Sequence, residues 1–308
     1  RVPVPLGDRI APITASAGVA VAAPGDGIGA ADLVTHADLA MYRAKADGKD
    51  RSAGYDVTMR RETEAALAIA DGLELALAEE RFIVEFQPVV DPATGTCVSA
   101  EALVRWRRED GTIIGPAEFI PIAEDRGLVG PIGERVLLEA AHWGAHWRDE
   151  IPSFVTAVNV SASQLLAPGF AHVVQRALDV SGLEPEGLSI EITEGVLLHD
   201  LDRAIAVLEE IRALGVWVAI DDFGTGYSSL SYLRDLPVTA VKVDRSFVRN
   251  IVESRRDREV LRSIVGVARA LGMWFVAEGV ETEDERATLI DLGVPLAQGY
   301  LFARPMSA

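Results

Sequence analysis

From Phe82 onward the chain alternates short apolar runs with amphipathic segments, and this alternation narrows the possible folds more than any other feature. Residues 82–90, 99–106, 154–160, 188–193, 216–221, 240–243, 274–277 and 296–301 are short, apolar and rich in β-branched residues, and they read as eight strands. Between them, Leu201, Ile205, Leu208 and Ile211 share one helical face ahead of Gly215. Ile132, Val136, Leu137 and Ala140 form a second stripe. Val260, Leu261, Ile264, Val265, Ala268 and Leu271 form a third before Gly272. Eight strands with intervening helices, in roughly 230 to 250 residues, match a closed β/α barrel better than an open doubly wound sheet. The first two strands are joined by Asp91-Pro92-Ala93-Thr94-Gly95, too short for a helical crossover, so they must run antiparallel. The expected fold is therefore α/β: a modified (β/α)8 TIM-like barrel with one antiparallel strand.

Such barrels carry their chemistry at the C-terminal ends of several strands at once. Those ends supply Asn159, Glu191, Asp221 with Asp222, Lys242 with Asp244, Glu278 and Gln298. Asn159 and Glu191 are flanked by Val158, Val160, Ile190 and Ile192, where unpaired polarity is expensive to bury. Any one of these residues taken alone reads as a hydrogen-bonded core residue or a helix cap. Their coincidence at one rim favours a shared site. The Asp221-Asp222 pair, followed by Gly224 and Gly226, reads either as a cap and a glycine turn or as part of a metal site.

Carboxylates and an amide oxygen, with no histidine or thiol among them, form a hard oxygen cage suited to Mg²⁺ or Mn²⁺ rather than zinc. His36, His142, His146, His172 and His199 all lie away from the strand ends and read as surface or packing residues. No dinucleotide or P-loop fingerprint is present, because Gly224 and Gly226 lack the third glycine or the Gly-Lys-Ser/Thr ending.

Composition limits the partners. With 47 acidic and 29 basic residues the formal net charge is −18, which argues against a nonspecific grip on a nucleic-acid polymer. An anionic ligand needs local help, such as bound cations. The single cysteine, Cys97, permits no internal disulfide and fits a reducing compartment. No segment has the length and apolarity to span a membrane, so no membrane contact and a cytoplasmic setting are expected of this fragment. The chain starts at Arg1 without a methionine, and an excised piece of a longer parent, one that could be membrane-tethered through upstream segments, is expected.

Ahead of the barrel, residues 13–22 read as a strand containing a glycine, and 30–46 as a helix ended by Gly48. Residues 56–81 read as a connecting helix with Leu67, Ala70, Leu73 and Leu77 at helical spacing, weakened by Gly72. The Ser16-x-Gly18-Val19-Ala20 strand and the run from Ala37-Asp38-Leu39-Ala40-Met41-Tyr42 to Gly48-Lys49-Asp50-Arg51 resemble the C-terminal end of GGDEF-type diguanylate cyclase domains. The Gly-Gly-Asp/Glu-Glu-Phe signature of that family is absent, so no cyclase activity is carried over. The expected organisation is a partial α+β GGDEF-domain remnant at 1–57, followed by the barrel domain with its connecting helix at 58–308.

Across the barrel, the sequence resembles the EAL family of cyclic-di-GMP phosphodiesterases. The resemblance is carried by Phe86-Gln87-Pro88-Val89-Val90, Glu101-Ala102-Leu103-Val104-Arg105-Trp106, Asn159-Val160-Ser161, Glu191-Ile192-Thr193-Glu194, the stretch from Asp221 to Leu230, Lys242-Val243-Asp244, Glu278-Gly279-Val280-Glu281 and Gln298-Gly299-Tyr300. It implies that Glu101, Asn159, Glu191 and Asp221 bind one divalent cation, and that Asp222 and Asp244, sharing Asp221, hold a second. It also implies that Lys242 and Glu278 position and deprotonate the attacking water with support from Gln298. Arg105 and Gln87 then contact substrate, and Glu194 anchors the loop that begins at Asp222. The implied reaction is hydrolysis of cyclic-di-GMP to linear pGpG with Mg²⁺ or Mn²⁺, by a homodimer. The competing reading is a cyclic-di-GMP receptor with little or no turnover.

Overall fold

The computed structural model describes residues 3–6, 9–12, 14–23, 25–46, 48, 50–224 and 230–308. They fall into two compact units, Arg1–Leu73 and Glu74–Ala308.

In the first unit, β1 (Pro3–Leu6) and β2 (Arg9–Pro12) form an antiparallel hairpin. Strand β3 (Ala17–Val19) pairs in parallel with β4 (Ser52–Gly54), and the helix Ala30–Ala46 connects them. Gly18 permits this arrangement, because a Cβ there would collide with the Ala37 carbonyl oxygen and the Met41 nitrogen of that helix. The strand expected over 13–22 is thus only three residues long, matched to a three-residue partner that lacks any clear sequence pattern. Ile13 lies outside the described residues. Gly48 ends the helix region with φ +104°. The following helix, Val57–Ala78, continues through Gly72 without a break. Leu67, which the sequence stripe includes, is 56% exposed.

The second unit is built on β-branched strands whose outward faces are fully covered; Ile190, Val218, Val241 and Val243 are all inaccessible to solvent. Its strands are β5 (Phe82–Val90), β6 (Cys97–Arg107), β7 (Ile113–Ile114), β8 (Val155–Asn159), β9 (Leu188–Thr193), β10 (Trp217–Phe223), β11 (Ala240–Val243), β12 (Trp274–Ala277) and β13 (Leu296–Ala297). The hydrogen-bonded order β5-β13-β12-β11-β10-β9-β8-β6 closes through β6–β5 into an eight-stranded barrel, and β7 extends the edge of β6. β5 runs antiparallel to both neighbours, while the other barrel pairs are parallel. The antiparallel strand follows from the short connection after Val90, as the sequence predicts.

Several strand boundaries differ from the sequence reading, two of them at the polar end of the barrel. β13 stops at Ala297 rather than 301, although Gln298 N–H still donates to the Ala277 carbonyl at 2.8 Å. β10 continues past Asp221 to Phe223. Outside the barrel, the helices Val129–Glu150, Leu201–Ala213 and Arg255–Ala270 bury Val136, Leu208 and Leu261 against the strands. Val260 turns away from that face and is 40% exposed. Among the described residues no helix is long and apolar enough to cross a membrane.

Ile190 sits on the outward face of β9 with no solvent exposure. Ile190→Ala should cost about 2–5 kcal/mol of unfolding free energy in urea denaturation, as a transfer loss plus the cavity left behind.

Candidate metal centre at the barrel mouth

Inward-facing residues alternate with outward ones along each strand, and one interior layer is polar on every strand that reaches it. The layer is organised by Lys242 of β11, which is 1% exposed. Its Nζ lies 2.7 Å from Glu191 Oε2, 2.7 Å from Glu278 Oε1, 3.2 Å from Glu101 Oε2 and 3.4 Å from Asp221 Oδ1. Those carboxylates come from β9, the end of β12, β6 and β10, so one ammonium ties four strands together. Around them, Gln298 Nε2 donates to Glu101 Oε2 at 2.7 Å and to Gln87 Oε1 at 3.1 Å. Asn159 Nδ2 donates to Glu101 Oε1 at 2.5 Å, and Gln87 Nε2 donates to the Ala303 carbonyl at 3.1 Å.

The electrostatics follow from burial and from the mismatch in charge. Burial opposes the Lys242 ammonium, but Glu101, Glu191, Glu278 and Asp221 outweigh it and hold the pKa well above the usual lysine value. Burial drives the Glu191 carboxyl well above its ordinary range against the pull of Lys242. Burial likewise raises Glu278 to about 7, with Lys242 opposing and Asp221 adding to the rise. For Glu101 burial acts upward, but Lys242 and the hydrogen bonds from Gln298 and Asn159 leave the carboxyl below its ordinary value. Four carboxylates therefore share one ammonium, and among the described residues no second cation pairs with any of the four.

A change in the backbone brings in a fifth. In a regular strand Asp221 and Asp222 point to opposite faces. Here the pairing of β10 with β11 shifts register between Ile220 and Phe223, and Asp222 adopts φ +53°. This bulge lets both neighbours contribute to one site. Aspartate is one of the few residues that tolerates that conformation, and its own N–H donates to Asp221 Oδ1 at 3.0 Å. As a result, oxygens of Asp221, Asp222 and Glu278 lie within 4.8 Å of one another, as do those of Glu101, Glu191 and Asp221. The strand thus carries the acidic pair inside a bulge, not beyond its end.

Both groupings fit a hard divalent cation: they are all-oxygen and converge closely, and the three carboxylates of the first share one ammonium. Gln298 Oε1, buried and without a hydrogen-bond partner among the described residues, adds an open acceptor beside them. A cavity of about 310 Å³ opens over the layer, lined in part by Gln87, Asp221, Asp244, Glu278 and Gln298.

The remaining expected residues are placed as follows. Asp244 lines the cavity but accepts from Ser246 N–H at 2.9 Å and belongs to neither carboxylate grouping. Arg105 Nε pairs with Glu85 Oε2 at 2.9 Å, and Arg105 is not among the cavity's lining residues. Glu194 Oε1 accepts from the Gly224 N–H at 3.0 Å. Gly224, with φ +95°, has no room for a Cβ against the Phe247 ring. Residues 225–229 of the glycine-rich loop lie outside the described residues. Arg245 and Tyr300 line the cavity and were not picked out as site residues from the sequence. Arg245 immediately follows Asp244, and its side chain packs where a Cβ of Gly279 would fall. That contact joins two strand ends distant in sequence.

The fold and this polar mouth define a barrel of the EAL type. The EAL domain family model matches residues 70–305, and the chain belongs to that family. That match begins at residue 70 and leaves residues 1–57 outside it. The chain is 39% identical over 297 residues to the bifunctional diguanylate cyclase/cyclic di-GMP phosphodiesterase MucR of Pseudomonas aeruginosa, covering 96% of this chain and 43% of that protein. It is 38% identical over 310 residues to the cyclic di-GMP phosphodiesterase NbdA of the same organism, covering 99% of this chain and 39% of that one. The chain therefore spans less than half the length of these relatives. The solved PaMucR phosphodiesterase in complex with c-di-GMP superposes with a TM-score of 0.74 at 39% identity, over 78% of this chain and 98% of that one.

Two measurements test the cluster itself. In the presence of a chelator, Lys242→Met should lower unfolding free energy by about 3–5 kcal/mol, because buried carboxylates lose their ammonium. Mn²⁺ should raise the melting temperature of the unaltered protein and raise that of Asp221→Asn much less, as followed by scanning calorimetry.

Proposed function

We propose that this chain hydrolyses one phosphodiester bond of cyclic-di-GMP to give linear pGpG, using Mg²⁺ or Mn²⁺, two per site. The observation that carries the reading is the convergence of Glu101, Glu191, Asp221, Asp222 and Glu278 on one mouth, around a single buried ammonium. The names of the relatives and the bound c-di-GMP of the superposed structure support the choice of substrate.

In this reading Glu101, Asn159, Glu191 and Asp221 hold one cation, and Asp222 and Asp244 hold the other with Asp221. Bound there, the cations supply Lewis acidity and positive charge at the scissile phosphate. Glu278 accepts the proton of the attacking water, a role suited to a carboxyl raised to about 7. Lys242 fixes the Glu278 carboxylate through its 2.7 Å contact and keeps Glu191 aligned from the other side. Gln298 holds Glu101 in place, and Gln87, its hydrogen-bond partner, faces the substrate. Arg105 reaches a substrate phosphate by exchanging or sharing its Glu85 partner. Glu194 steadies the start of the loop through Gly224.

The assignment of residues 1–57 to the end of a GGDEF-type domain, and of 58–308 to the phosphodiesterase domain, is part of the same proposal. It is supported by the Ser16-to-Ala20 and Ala37-to-Arg51 motifs and by the strand–helix–strand unit that contains them.

Purified protein incubated with cyclic-di-GMP and Mn²⁺ should release pGpG, detected by chromatography. Glu278→Gln should slow turnover by about 10²–10⁴-fold while retaining substrate binding. Saturable binding by the unaltered protein with no pGpG over hours would identify a receptor instead and overturn the proposal.

A further inference from the structure

In the interior row directly beneath the polar layer, four strands carry small residues. Two positions before Glu101, Glu191, Asp221 and Lys242 on their strands stand Ser99, Ser189, Ala219 and Ala240. Barrel interiors of this kind are ordinarily filled by layers of bulky branched side chains. Here the small row leaves a cavity of about 460 Å³ at the N-terminal end of the barrel, a size typical of small-molecule sites. It is separate from the opening over the carboxylates, and its walls include Val89, Val276 and Leu296. Trp217 and Trp274 also line it. The Trp217 indole is fixed by donating to the Glu186 carbonyl at 2.9 Å, and Trp274 is 52% exposed.

Two cations line this largely apolar wall, and Lys242 is committed to the carboxylates of the layer above. Arg148 lines the cavity and donates from one terminal nitrogen to the Phe154 carbonyl at 3.0 Å. Among the described residues no carboxylate pairs with it. The remaining guanidinium donors suit a single carboxylate at the end of an apolar body. Glu191 and Lys242 line the same cavity from above, so an occupant lies beneath the ion network of the upper mouth.

We infer that the N-terminal mouth of the barrel binds a small amphiphilic monoanion, a medium-chain alkyl carboxylate, with its chain in the hollow and its carboxylate on Arg148. The inference does not rest on the proposed phosphodiesterase reaction and is tested by binding alone.

Isothermal calorimetry with octanoate, 1-octanol and octylammonium provides the test. Octanoate should bind saturably with a Kd below about 1 mM, and octylammonium at least about tenfold more weakly. Ala240→Leu, which fills the hollow, should weaken both octanoate and octanol by about tenfold or more. Arg148→Gln should weaken octanoate by about tenfold and leave octanol within about twofold. Ser189→Leu fills the same space from another strand, and melting curves identify which variants fold as the parent does. The inference is overturned by an absence of saturable octanoate binding, by unchanged binding in a folded hollow-filling variant, or by octylammonium binding as tightly as octanoate.

Discussion

The interior of this barrel depends on one buried ammonium. Placing Lys242 and four carboxylates out of water is costly for every ion, and attraction offsets that cost only where geometry is close and the remaining hydrogen bonds are made. The distances from Nζ and the amide donations from Gln298 and Asn159 satisfy that requirement. Burial raises the Glu191 and Glu278 carboxyls, and the neighbouring carboxylates add to that rise against the pull of Lys242. A protein that only needed a stable core would fill this layer with aliphatic side chains. The retained negative charge makes physical sense as a socket for cations.

The bulge at Asp221 and Asp222 solves a separate geometric problem. Two consecutive carboxylates on a straight strand cannot serve one site, and the left-handed backbone at Asp222 removes the obstacle at a cost of order 1–3 kcal/mol. The conformation is held from outside by the Glu194 contact to Gly224 and by the Phe247 ring against which that glycine packs. Local strain is thus tied to Glu194, the first residue of the short helix Glu194–His199, and to the turn that follows β11.

Most of the barrel was legible because its signals are local. Short apolar runs, glycine stops and the five-residue connection after Val90 fixed strand number and the one antiparallel strand. Polar residues at strand ends, which would be costly in a plain core, marked Glu191, Asp221, Lys242 and Glu278 before any geometry was known. What could not be read depends on approach through space. The turn of Asp222 arises from a register shift against β11, the seat of Arg245 depends on Gly279, and the pairing of Arg105 with Glu85 crosses two strands. The hollow under the polar layer was hidden for the same reason, since Ser99, Ser189, Ala219 and Ala240 form a row only once the barrel has closed. The short partner strand β4 carries too few residues to show a period.

The reversed direction of β5 has a mechanical consequence. Phe82, opposite Trp106, lies toward the polar mouth, and Val90, opposite Cys97, lies toward the far end. The polypeptide therefore threads into the barrel from the side that carries the carboxylates. Gln87, opposite Glu101, is five residues from that point of insertion. A slip of a single residue along β5 would turn Gln87 out of the interior and remove an acceptor from Gln298. The register of β5 thus links the point where the chain enters the barrel to the amide contacts of the site.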